Sequence, residues 1–97
     1  MMLSQLEIEE LVRKTIVLYN RIRSPEVTAK LIFVSPAIIV ISFSGGFCYG
    51  CGIFDIVESF SNQFKTFSGK AEIEVGKTRQ INPRIFEAEF NLKEKSN

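Results

Sequence analysis

The stretch VTAKLIFVSPAIIVISF, residues 27–43, decides the fold. Residues 27–34 are rich in β-branched and aromatic side chains, and residues 37–43 resume that character after Ser35-Pro36. Runs of this kind suit a pleated, half-buried surface, so two strands are expected. Their connection is too short for a parallel crossover, which makes them an antiparallel hairpin. The second run, AIIVISF, is apolar on both faces and therefore belongs inside a sheet.

Upstream, Ser4 and Glu7 have the spacing of a capping box, and Leu3 and Ile8 that of a hydrophobic staple. Ile8, Leu11, Val12, Thr15, Tyr19 and Ile22 then recur at helical spacing, with Ile16 beside them. Glu7, Glu9 and Glu10 sit where the helix dipole favours anions, and Arg21 and Arg23 where it favours cations. Ser24-Pro25 ends the pattern, so a helix is expected over residues 5–23.

Downstream, a second helix is expected from about Gly52 to Lys65, with Ile53, Ile56, Val57, Phe60, Phe64 and Phe67 along one stripe. Ser68-Gly69 closes it. KAEIEV (70–75) alternates as a strand, GKTRQINP (76–83) reads as a polar loop, and RIFEAEFNL (84–92) alternates again. The order αββαββ predicts an α+β two-layer sandwich, a four-stranded, mainly antiparallel sheet with two helices on one face. A ferredoxin-like βαββαβ chain whose first strand has moved to the end has the same order.

The whole chain, residues 1–97, reads as one domain. Twelve basic and eleven acidic residues leave a formal net charge of +1, which supplies no long-range pull toward nucleic acid or an anionic membrane. The N-terminus MMLSQLEIEE lacks the layout of a signal peptide, and no apolar run is long enough to cross a bilayer. A cytoplasmic protein is expected. Histidine is absent, which removes Ser-His-Asp and Cys-His catalysis and histidine-containing zinc sites. Chemistry is left to thiols, carboxylates, amines and the backbone.

That directs attention to SGGFCYGCGIFD, residues 44–55, which holds both cysteines and four of the six glycines. On an extended chain the Cα atoms of Cys48 and Cys51 would stand roughly 10 Å apart, beyond disulfide reach. A turn brings them together, and Gly45-Gly46, Gly50 and Gly52 permit one. The free N–H groups of the following helix would favour a thiolate and lower the pKa of the nearer cysteine.

The run IIVISFSGGFCYGCGIFDIVESF resembles the strand, CxxC and helix of thioredoxin-like oxidoreductases, and Asn82-Pro83 is similar to that family's proline loop. The resemblance implies that Cys48 is the nucleophile, that Cys51 resolves, and that Pro83 lies against the pair. Gly46-Phe47-Cys48 with Cys51 also resembles the GMxCxxC loop of copper-chaperone metal-binding modules, which implies zinc or copper held by Cys48 and Cys51 instead. Three uses of the pair stay open: a functional thiol pair, a structural disulfide, or inert core thiols. Phe47 and Tyr49 flank the cysteines and suit a groove for a substrate or a protein thiol partner. A rival reading is a non-enzymatic homodimer, joined through sheet edges at 27–34 or 84–92, or by one Zn²⁺ shared between two Cys48–Cys51 pairs. Lys77, Arg79 and Arg84 read as a solvated loop, and Asp55 and Glu58 as dipole-matching residues.

Overall fold

The computed structural model describes residues 5–23, 27–45, 53–69 and 71–94. In chain order the elements are α1 (Gln5–Arg23), β1 (Val27–Val34), β2 (Ile38–Gly45), α2 (Ile53–Ser68), β3 (Ala71–Asn82) and β4 (Ile85–Glu94). The strands form one antiparallel sheet in the order β1-β2-β4-β3. That is the order a βαββαβ sheet takes when its first strand is moved to the end of the chain. The α+β sandwich read from the sequence is therefore the observed one. No helix among the described residues is long and apolar enough to cross a membrane.

Register puts the core on one sheet face. Ala29, Phe43 and Phe86 stand in one row across three strands, and Val34, Ile39, Phe90 and Val75 form another across all four. The helices cover this face, α1 over β1 and α2 over β3, and they also touch each other. Ile8, Val12, Thr15 and Tyr19 of α1 are buried, as are Ile56, Val57, Phe60 and Phe64 of α2. Thr15 is the one polar side chain among the fully buried described residues, and its hydroxyl donates to the Leu11 carbonyl at 2.7 Å. Ile22 and Phe67, assigned above to the helix stripes, lie at the element ends and are 60% and 40% exposed.

Aromatic rings fill the centre. Phe60 meets Tyr19 and Phe43 edge-on at centroid distances of 5.5 and 5.6 Å, and lies tilted against Phe90 at 5.6 Å. Phe43 stacks on its cross-strand neighbour Phe86 at 5.2 Å. Such pairs add to the area each ring buries.

Two expectations need correction. Residues 76–82 are not a loop: β3 runs on to Asn82, and only Pro83-Arg84 turn the chain. Bulges leave Gly76 and Ile81 without cross-strand partners and interrupt the in–out alternation at those points. The run is polar because most of it is exposed. The turn itself is set by Asn82, whose Oδ1 accepts the Arg84 N–H at 2.8 Å.

The second correction concerns the sheet edges. Residues 84–92 offer none, because β4 is interior, flanked by β2 and β3. The edges are β1 and β3, and the helices engage both. Asn20 of α1 mimics a neighbouring strand: its Oδ1 accepts the Ala29 N–H at 2.7 Å and its Nδ2 donates to the Ala29 carbonyl at 3.0 Å. Gln5 Nε2 reaches the Val34 carbonyl at 3.4 Å. On the other side Ser61 Oγ donates to the Ile73 carbonyl at 2.7 Å, and the Ser68 hydroxyl bonds both backbone groups of Ala71. Covering an edge in this way removes a template for strand addition.

Phe60→Ala should cost about 3–5 kcal/mol, a large part of the ~5–15 kcal/mol available to a domain, read as a lowered denaturant midpoint. Gly69 ends α2 with φ +65°, its N–H donating to the Lys65 carbonyl at 3.4 Å, and open space surrounds the position of an added Cβ. Only conformation therefore demands glycine there, and Gly69→Ala should cost about 1–2 kcal/mol in the same measurement.

Candidate functional site

The candidate site is the end of the sandwich where β2 gives way to α2. β2 is held from both sides up to its last residue: Gly45 pairs with Val27 of β1, and Ser44 with Ile85 of β4. The Gly45 N–H then donates to the Arg84 carbonyl at 3.0 Å, which ties the end of β2 to the β3–β4 turn. Eight residues later α2 begins at Ile53. Asp55 and Glu58 are exposed on its first turns, as the dipole reading requires.

Of the residues singled out in the sequence, Phe47, Cys48, Tyr49 and Cys51 lie outside the described residues. Pro83 is described: it is exposed and occupies the turn whose next residue bonds Gly45. Asn82-Pro83 thus opens a two-residue turn between antiparallel strands. Among the described residues no three His, Cys, Asp or Glu side chains gather around a common point where a metal could bind. Cys48 and Cys51 together would supply two donors, half of a tetrahedral set.

Of the three cations of 77–84, Arg84 sits apart from the other two, in the β3–β4 turn. Lys77 and Arg79 lie along β3 on the face away from the helices, in register with Glu89 and Glu87 of β4. With Val40 and Thr78 they line a shallow hollow of ≈ 270 Å³. Each cation faces a carboxylate, so the hollow offers no net positive field to a phosphate. This agrees with the reading of a solvated surface.

One joint at this end escaped the sequence reading. The last turns of α1 meet the first turns of α2 through Tyr19, Arg23 and Ser59. Tyr19 is 1% exposed, and its hydroxyl donates to the Ile56 carbonyl at 3.4 Å. Ser59 Oγ donates to the same carbonyl and accepts from Arg23 Nη2, both at 3.4 Å. The Arg23 guanidinium carbon lies 6.0 Å from the centroid of the Tyr19 ring. Burial pushes the Tyr19 phenol above its ordinary value of 10.0, while the bond to Ser59 and the charge of Arg23 pull the other way. A tyrosine on a core stripe is the sequence signal for such a joint, since a buried hydroxyl requires a partner.

Comparison with known proteins finds no family model that matches the chain, no similar curated protein and no similar solved structure.

Because the folded state holds Tyr19 neutral beyond pH 10.0, unfolding above that pH releases a proton. The stability contributed by this raised pKa is full below pH 10.0 and is lost as pH rises through the folded value. Urea titrations between pH 8 and 11.5 should show a steeper alkaline decline for the wild type than for Tyr19→Phe.

Proposed function

We propose that the chain is a thiol module in which Cys48 and Cys51 carry out thiol–disulfide exchange with a protein partner. One observation supports the reading. The segment containing both cysteines is bounded by Gly45, pinned to the Arg84 carbonyl, and by Ile53, which opens a sixteen-residue helix. A thiolate near that helix start gains from unpaired N–H groups and the dipole. Pro83 precedes the residue that holds Gly45, so the proline-bearing turn is tied to the end of the strand that leads into the cysteine segment.

In the exchange the Cys48 thiolate attacks a disulfide of the partner and displaces one of its thiolates, giving a mixed disulfide. The Cys51 thiolate then attacks Cys48, so the partner leaves as a dithiol and the module as the Cys48–Cys51 disulfide. Two electrons pass to the partner, and the displaced thiolates take up protons from solvent. Phe47 and Tyr49 would supply apolar contact for the partner chain.

Alkylation of the reduced chain against pH should give Cys48 a pKa below the ~8.5 of a free thiol, and a redox titration a midpoint between roughly −270 and −120 mV. Cys51→Ser in its reduced form should accumulate a mixed disulfide with a model disulfide substrate, and Cys48→Ser should abolish exchange. Both thiols resisting alkylation until the chain unfolds would overturn the proposal. Zinc recovered at one ion per two chains would replace exchange with a shared metal clasp.

A further inference from the structure

The outward face of α1 is unpartnered and carries a self-complementary pattern. Leu6 and Val17 are 79% and 58% exposed, and with Glu10 and Arg13 they form a stripe at spacings of four, three and four residues. That is coiled-coil spacing, on the face opposite the buried Ile8, Val12, Thr15 and Tyr19. The stripe lines an open groove of ≈ 670 Å³ with Phe67 of α2 at its side. Within the chain its charges are held by adjacent turns, Arg13 to Glu9 at 2.9 Å and Lys14 to Glu10 at 3.6 Å.

We propose that a second copy of this chain docks here, α1 against α1 in antiparallel sense, about a two-fold axis passing between Leu11 and Val12. The axis is fixed by arithmetic on the stripe. It sets Leu6 opposite Val17 of the second copy and Glu10 opposite Arg13 of the second copy, and its symmetry repeats both pairs. Both apolar residues meet apolar residues and both charges meet opposite charges. A parallel arrangement would instead face Glu10 with Glu10 and Arg13 with Arg13. The charged layer thus selects direction and register, while the apolar layers supply burial.

The second copy is favoured over a foreign helix because α1 divides its charge lengthwise. Glu9 and Glu10 precede the axis and Arg13 and Lys14 follow it, so in the antiparallel pair Glu9 faces Lys14 of the second copy as Glu10 faces Arg13, and α1 is its own electrostatic complement about the axis. The helices also bond the sheet edges at Ala29, through Asn20, and at Ile73, through Ser61, which removes those positions from strand pairing. The inference does not depend on the thiol reading. It does separate the two candidate sites: the ends bearing Gly45 and Ile53 lie near the C-terminal end of α1, so the docked copies carry them at opposite ends of the interface.

Sedimentation equilibrium of the full chain from ~10 µM to ~1 mM at low ionic strength tests the proposal, with circular dichroism to verify folding of each variant. A reversible monomer–dimer equilibrium is expected, weakened about tenfold or more by Val17→Glu. Glu10→Arg and Arg13→Glu should each be monomeric alone, because each faces like charge in the homodimer. Mixed one to one they should form a heterodimer, since the first carries only arginines and the second only glutamates at the facing positions. A wild type that stays monomeric throughout, single variants that dimerise as tightly as the wild type, or a mixture that stays monomeric while the wild type dimerises would each overturn the inference.

Discussion

The architecture depends on one side chain at the meeting point of four elements. Phe60 leaves α2 and packs at once on Tyr19 of α1, Phe43 of β2 and Phe90 of β4. An edge-on contact to two rings and a tilted contact to a third constrain the helix in rotation as well as height, because aromatic pairs favour particular orientations. With α2 fixed there, its first turn lies against Tyr19 and its last turns against the start of β3. The position of the helix start beside the end of β2, on which the functional reading rests, is therefore a consequence of core packing.

Each helix also does a second task beyond covering the sheet. Asn20 and Ser61 stand at the rim of their helices and bond the outward backbone groups of β1 and β3. A buried or half-buried edge would otherwise leave carbonyls and amides without partners, a cost of about 1–3 kcal/mol each. Satisfying those of Ala29 and Ile73 with side chains ties each helix to its strand in register, so the helix that covers the face also holds part of the edge. The face left open is the charged one, where carboxylates and cations of β3 and β4 alternate.

How much of this could be read from the chain depended on whether a local rule governed it. Helix α1 was legible because periodicity and end charges agree over nineteen residues. The interior place of β2 was legible because AIIVISF is apolar on both faces. β4 was misread as an edge, since Phe86, Ala88, Phe90 and Leu92 alternate with polar residues as an edge strand would; the polar row faces solvent although both neighbours are present. The far half of β3 was misread as a loop because its two bulges break the alternation that identifies strands. The joint of Tyr19, Arg23 and Ser59 depends on how two helices cross, which no spacing within either one encodes. The cysteine spacing was legible at once, while the hold of Arg84 on Gly45 joins residues 39 apart in the chain and required the sheet order.

The interior position of β4 has a consequence for how the chain acquires its structure. β2 and β3 are successive strands in the sequence, yet they never touch, and the gap between them is filled by β4, which is made after both. β2 ends at Gly45 and β4 begins at Ile85, forty residues later, so at ~5–20 residues per second a nascent chain waits roughly 2–8 s before Ile39, Ile41 and Phe43 gain their second neighbour. During that interval the hairpin of β1 and β2 has one side unfilled and β3 has no partner at all. Closure of the sheet therefore waits on residues 85–94, which join the β1–β2 hairpin to β3.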